Sequence, residues 1–238
     1  MNNPVKWGIL GTARIAKSRF MPAAIKSRKA QVVAIGSRNM EKAQEFASEF
    51  NIHKQYGSYQ EVLDDSDVEA VYIPLANQLH AQWTIKAADA GKHVLCEKPM
   101  GQDTDEVLAM AEHCKQKGVK LMEAFMYRTN PRTKLIKDVI DSGQLGDVKI
   151  IHMEFSFLFD DWKDSRYMPG KGAGCLMDVG SYCINVSRYL FGSEPLCAYA
   201  TMHKHHEIGC DMTTSSILEF CGDRVALINC SFETGFAN

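Results

Sequence analysis

The chain has 238 residues, 45% of them hydrophobic and 24% charged, with a formal net charge of −2. That length leaves room for one large or two small domains with a real core. The near-neutral charge excludes binding driven by neutralising nucleic-acid phosphates, and no apolar run approaches the ~20 residues that cross a bilayer as a helix.

Residues 5–10 and 31–35 are short apolar runs read as strands, and 40–50 reads as a helix with Asn39 as its N-cap. A strand is expected over 68–73, then a helix over 79–90 closed by Gly91. Residues 93–96 read as a strand. Asp103 and Glu106 have the spacing of a capping box for the next helix, Gly118 ends it, and a strand follows over 119–122. This alternation predicts an α/β domain over 1–124 built on a doubly wound parallel sheet. After Phe125 the pattern changes. A helix is expected over 132–142, then a long strand in which Ile151, Met153, Phe155, Phe157 and Phe159 alternate with more polar positions. Gly170, Gly172 and Gly174 precede a helix reaching about Leu190, and strands are expected over 196–204, 215–220 and 224–233. Residues 125–238 therefore read as an α+β domain with a mainly antiparallel sheet.

The run Gly8-Ile9-Leu10-Gly11-Thr12-Ala13-Arg14-Ile15-Ala16 reads as a strand turning sharply into a helix. Such a turn aims backbone N–H groups and the positive end of the helix dipole at a phosphate. Ala13 stands where the dinucleotide fingerprint has its second glycine, so the motif is imperfect, and a tight turn without ligand is its plainer reading. Ser37 and Arg38 end the next strand, where an adenine ribose lies in folds of this kind, and no acidic residue follows until Glu41. A guanidinium there suits a 2′-phosphate, which predicts NADP rather than NAD.

Two further loops fall at the carboxyl ends of parallel strands. One is Pro74-Leu75-Ala76-Asn77-Gln78-Leu79-His80, with Asn77 and His80 as candidates for a nicotinamide ribose or as simple cap and turn residues. The other is Glu97-Lys98-Pro99, where Pro99 holds Lys98 extended. Lys98 either donates to a substrate hydroxyl or pairs on the surface with Glu97 or Asp103. On the later helix, Asp178, Tyr182 and Asn185 have the spacing of one face, either a solvated stripe or a proton-transfer site. His203, His205 and His206 lack a carboxylate or thiol at ligand spacing and read as a solvated strand end, so no metal site is expected. Eight cysteines without a Cys-x-x-Cys spacing read as reduced, mostly buried thiols. With no leader pattern at the N-terminus, a cytoplasmic location is expected.

Taken together, the glycine turn, Glu97-Lys98-Pro99, the Gly172-Ala173-Gly174 lead into Asp178-Val179-Gly180-Ser181-Tyr182, and Glu123-Ala124-Phe125-Met126-Tyr127-Arg128 resemble the Gfo/Idh/MocA family of NAD(P)-dependent oxidoreductases. The likeness is strongest to the branch with dihydrodiol dehydrogenase and NADP-dependent D-xylose 1-dehydrogenase. It implies an NADP-binding Rossmann domain over 1–124 and a substrate and oligomerisation domain over 125–238, which the comparison makes look cut short. The resemblance implies hydride transfer between NADP and a carbinol carbon of a sugar or cyclic diol. Lys98 would orient the hydroxyl, Tyr182 serve as acid/base and Asp178 position substrate or relay the proton. Gly8, Gly11, Thr12, Ala13, Arg14, Ile15, Ser37, Arg38, Leu75, Asn77, His80, Glu97, Lys98 and Arg128 would hold the cofactor. The alternative is a cofactor-binding but catalytically impaired fragment or regulatory paralogue. The expected partners are a small sugar or diol and, if the second sheet is complete, a second copy in a homodimer, with no nucleic acid and no membrane. Trp162-Lys163 departs from the Trp-Arg pair common in relatives, and Asn130 from a common histidine.

Overall fold

In a sheet covered on both faces, alternate side chains of every strand must be apolar on both sides, and the first half of the chain satisfies this. A computed structural model of the chain describes residues 3–168 and 172–235 and divides it into two units, Met1–Ala124 and Phe125–Asn238. Gly170 lies outside the described residues.

The first unit is a six-stranded sheet in the order β3-β2-β1-β4-β5-β6. Its strands are β1 (Val5–Leu10), β2 (Ala30–Gly36), β3 (Lys54–Tyr56), β4 (Ala70–Ile73), β5 (His93–Cys96) and β6 (Leu121–Glu123). Every neighbouring pair is parallel. The helices are α1 (Met21–Lys26), α2 (Met40–Phe50), α3 (Tyr59–Asp64), α4 (His80–Asp89) and α5 (Thr104–Gln116). Leu10, Val71 and Ile73 pack with Val62 and Ala87 on one face, while Ile9, Ile35 and Tyr72 pack with Met21 and Phe46 on the other. Asn39 caps α2 by accepting from the Lys42 N–H, and Asp103 caps α5 by accepting from the Glu106 N–H. Glu106 does not simply close a reciprocal box: its carboxylate accepts from the Gln102 N–H at 2.6 Å.

β6 begins at Leu121 rather than at 119, and two further expectations shift. β4 begins at Ala70, because Val68 closes a turn by donating to the Asp65 carbonyl, although its side chain still fills the core. The helix after the glycine turn carries a π-helical stretch, Ala16–Phe20, before α1.

In the second unit, α6 (Pro131–Asp141), capped by Asn130, precedes β7 (Ile150–Ser156). Then come a π-helical turn, Leu176–Gly180, and α7 (Ser181–Phe191), β8 (Cys197–Lys204), β9 (Asp211–Phe220) and β10 (Arg224–Ser231). The sheet order is β7-β10-β9-β8, with β8–β9 and β9–β10 antiparallel and β10–β7 parallel. The sheet is thus mixed, β7 joining parallel at its edge. One face packs on α7 through Ile151, Leu218, Phe220, Ala226 and Ile228 against Cys183 and Phe191.

Candidate functional site

Strand register decides which loops leave the same edge of the first sheet. Leu10 lies opposite Gly36, Ile9 opposite Tyr72 and Ile73 opposite Cys96. Residues 11–13, 37–38, 74–77 and 97–98 therefore all emerge at the carboxyl edge, and the strand order reverses between β1 and β4. Open α/β sheets bind ligands at such a switch point.

The turn after β1 depends on Gly11, whose φ of +104° is left-handed and costs an L-residue about 1–2 kcal/mol. Its N–H donates to the Gly36 carbonyl at 2.7 Å, tying the ends of β1 and β2. A Cβ on Gly11 would lie 3.0 Å from Leu75 Cδ2, so Leu75 lies directly over the turn. Ala13 accepts from the Ala16 N–H at 3.0 Å and starts the helix. Thr12, Ala13 and Ile15 are partly buried there and Arg14 is exposed. Gly8 requires a correction. A Cβ there would come within 2.5 Å of Val62 Cγ1, so Gly8 makes room for α3 inside the core and does not line the turn. At the end of β2, the Ser37 hydroxyl accepts from the Asn39 N–H, and Arg38 is exposed beside it.

Glu97 and Lys98 follow β5, and both are partly buried. Tyr72 donates to Glu97 Oε1 at 2.5 Å, and the Lys98 backbone N–H donates to Glu97 Oε2 at 3.3 Å. Glu123, at the end of β6, accepts from the Met100 N–H at 2.9 Å. Asn77 opens a short 3₁₀ turn, Asn77–Leu79, ahead of α4. His80 is the second correction. It is 0% exposed, with Nδ1 2.9 Å from the Pro99 carbonyl and Nε2 2.9 Å from the Leu75 carbonyl. Both ring nitrogens are engaged inside the protein, so the ring has no edge left for a cofactor.

In the second unit, Tyr182 sits near the start of α7 inside an aromatic wall. Its ring meets Phe125 edge-on at 5.2 Å and Phe155 at 5.6 Å, with Tyr127 at 6.3 Å. Three residues further on, Asn185 accepts through Oδ1 from the Tyr127 hydroxyl, and from Arg128 Nη1 at 3.1 Å. The Arg128 guanidinium also lies 4.9 Å over the Tyr189 ring. Asp178 stands on the π-helical turn, where i→i+5 bonding changes the angular step that a four-residue spacing assumes. It is 9% exposed and accepts from Arg166 Nε at 2.7 Å. Burial opposes the charge on Arg166, but the carboxylates of Asp178 and of Asp164, 3.1 Å away, outweigh it and raise its pKa. Asp178 is thereby an ion-pair partner of Arg166. Arg166 has no motif signal in the sequence and is legible only once the fold brings it twelve positions forward onto Asp178.

His203 pairs with Glu233 at 2.9 Å, and His205 and His206 stack on each other. Among the described residues no three histidine, cysteine or acidic side chains form a metal-holding group, and no helix is long and apolar enough to cross a membrane.

Residues 5–125 match the family model described as "Oxidoreductase family, NAD-binding Rossmann fold", and residues 133–238 match the GFO/IDH/MocA C-terminal domain. The chain belongs to the GFO/IDH/MocA oxidoreductase family. This GFO/IDH/MocA chain is 41% identical over 229 residues to D-xylose 1-dehydrogenase (NADP(+)) 2 of Haloferax volcanii, covering 96% of this chain and 70% of that one. It is 33% identical over 240 residues to mouse trans-1,2-dihydrobenzene-1,2-diol dehydrogenase, covering 98% and 70%. Among solved structures it superposes on KijD10, a 3-ketoreductase from Actinomadura kijaniata in complex with NADP and TDP-benzene, with a TM-score of 0.93. That match has 30% identity and covers 99% of this chain and 72% of that one.

The carboxyl edge of this GFO/IDH/MocA protein fits a dinucleotide. Gly11 supplies the left-handed turn and the space that a Cβ would fill beneath Leu75. The end of β2 offers a hydroxyl and a guanidinium, not a carboxylate.

Proposed function

We propose that the protein is an NADP-dependent oxidoreductase acting on the carbinol carbon of a sugar or a cyclic diol. Two relatives support the substrate class, one named for D-xylose and one for a dihydrodiol, and KijD10 was solved with NADP. The observation that carries the cofactor reading is the Gly11 turn joined to the end of β2, where Ser37 and Arg38 follow the Gly36 carbonyl that accepts from Gly11. Residues 11–15 would cradle the pyrophosphate, Ser37 and Arg38 the 2′-phosphate, and Leu75, Asn77 and Glu97 the nicotinamide side, and Arg128 is proposed as a further cofactor contact. When bound, NADP supplies the carbon that accepts or returns hydride.

The remaining chemistry belongs to the chain. Lys98 donates from Nζ to the carbinol oxygen and holds it in line. In the oxidative direction Tyr182 takes the hydroxyl proton. A phenol's ordinary pKa is ~10, so a base working near neutrality needs a shift of about 2 units, roughly 3 kcal/mol. A nearby cation is the ordinary source of such a lowering. Lys98 is assigned that role. Asp178, paired with Arg166, positions the substrate or relays the proton. The eight free cysteines suit a reducing compartment such as the cytoplasm.

The test is reduction of NADP, followed by nicotinamide absorbance, with D-xylose, related aldoses and cyclic dihydrodiols. Lys98→Met is expected to lose turnover while still binding NADPH in a fluorescence titration. Undiminished turnover in that variant refutes the role given to Lys98.

A further inference from the structure

His80 is the first residue of α4 and wholly buried, yet it makes contact with the two loops that carry the candidate site of the first unit. Nδ1 lies 2.9 Å from the carbonyl of Pro99, the residue after Lys98. Nε2 lies 2.9 Å from the carbonyl of Leu75, the residue whose side chain covers the Gly11 turn. Both partners are acceptors only, so the ring must donate on each side where a bond is closed. The doubly protonated ring closes both bonds, and the neutral ring closes one, with the tautomer deciding which loop is held. Burial, the strongest influence, takes the pKa of His80 down overall, and Lys98 adds to that. The Pro99 and Leu75 carbonyls and the Glu106 carboxylate offset only part of it, so the neutral ring, with one bond closed at a time, is favoured. An apolar residue of similar volume would fill the space and leave two buried carbonyls with a lost partner.

We propose that His80 is a positioning residue shared by the two loops, setting the lysine through the Pro99 carbonyl in one tautomer and the cofactor side through the Leu75 carbonyl in the other. This rests on the reading above of Lys98 as the donor to the substrate hydroxyl. It assigns His80 no contact with either ligand.

Each half of the tether is separable by side-chain geometry. In His80→Asn the amide nitrogen replaces Nδ1 and keeps the donor to Pro99. In His80→Gln it replaces Nε2 and keeps the donor to Leu75. The full chain is compared by kcat with its best sugar or diol and by the Kd for NADPH. The expected pattern is a split. His80→Asn keeps kcat within about 3-fold and weakens NADPH about 10-fold, His80→Gln keeps the Kd within about 3-fold and lowers kcat about 10-fold, and His80→Phe loses both; 10-fold corresponds to about 1.4 kcal/mol, the scale of one buried hydrogen bond. Equal losses of kcat and affinity in the two amide variants, following their melting temperatures, overturn the proposal and leave a purely structural histidine. Wild-type protein that binds NADPH but turns over no sugar or diol defeats the Lys98 reading alone, and the Kd comparison then decides the Leu75 tether. Protein that binds no NADPH defeats both. Should the variants fail to fold, long-range ¹H–¹⁵N spectra of His80 in the wild type read the tether directly. Ring-nitrogen shifts that move on adding NADPH support it, and unmoved shifts contradict it.

Discussion

Arg166→Met removes an ion-pair partner of the buried Asp178 carboxylate and keeps most of the side chain's volume. The Asp178 side chain is 12% exposed and that of Arg166 35%. A fully buried pair broken on one side costs about 3–5 kcal/mol, because the remaining charge is stranded. Partial access of solvent to the guanidinium screens the pair and lowers this to roughly 2–3 kcal/mol. For a chain of this size each 1 kcal/mol moves Tm by about 2–4 °C, so the variant is expected to melt about 4–12 °C lower in a calorimetric scan. Adding Asp178→Asn to it removes the charge that Arg166 balanced, and the double variant is expected to be no less stable than the single one. Turnover is not expected to return, since the carboxylate proposed to act on the substrate is gone. A single variant melting with the wild type, or a double variant less stable than the single, refutes the picture of Asp178 as a carboxylate held by Arg166.

Replacing Ser37 by Asp together with Arg38→Ala should move preference from NADP towards NAD. Loss of one charge-assisted, forked contact is worth about 1.5–3 kcal/mol, so the ratio of kcat/KM for the two cofactors should change by roughly 10- to 150-fold. Gly36→Ala should destabilise far more than Gly91→Ala: a Cβ at Gly36 meets the Ser58 carbonyl oxygen at 2.6 Å, whereas at Gly91 it meets nothing within 4 Å. Urea unfolding of the two variants checks this. Burial opposes ionisation of Asp65, yet bonds from Lys54, Tyr56 and the Asp67 backbone N–H hold its pKa below the usual carboxylate value. The folded state therefore favours the ionised form, and its stabilising contribution is full above the unfolded pKa of about 3.9. It is lost as pH falls through the lower folded value. Lys54→Ala should flatten the acid limb of the urea midpoint against pH.

Backbone punctuation was the most legible layer. Asn39 and Asp103 sit immediately before helices as predicted, and each side chain accepts from a backbone N–H in the first turn. Asn130 caps its helix in the same way, a role not predicted for it. β5 occupies 93–96 as its apolar run predicts. What escaped reading depends on contacts between distant residues. The π-helical turns at 16–20 and 176–180 carry no compositional mark. Gly8 looks like part of a phosphate turn until α3 is seen against it. His80 looks like a ligand contact until both its nitrogens are found on carbonyls of two loops. Arg166 and Tyr127 gained their place beside Asp178 and Asn185 only through the fold. The parallel edge pairing of β7 with β10 could not be read from alternation, since period two is common to both sheet types.

The central claim is that this chain moves hydride between a carbinol carbon and NADP, with Lys98 and Tyr182 handling the oxygen and its proton. D-xylose deuterated at C1, or a ring-deuterated dihydrodiol, offered with NADP to the wild type, Lys98→Met and Tyr182→Phe, tests it by mass spectrometry of the recovered cofactor. The account predicts deuterium in the reduced nicotinamide from the wild type, and at most a small fraction of that label from either variant while both still bind NADPH. Unlabelled cofactor from the wild type across the whole panel, or full labelling by the variants, contradicts it.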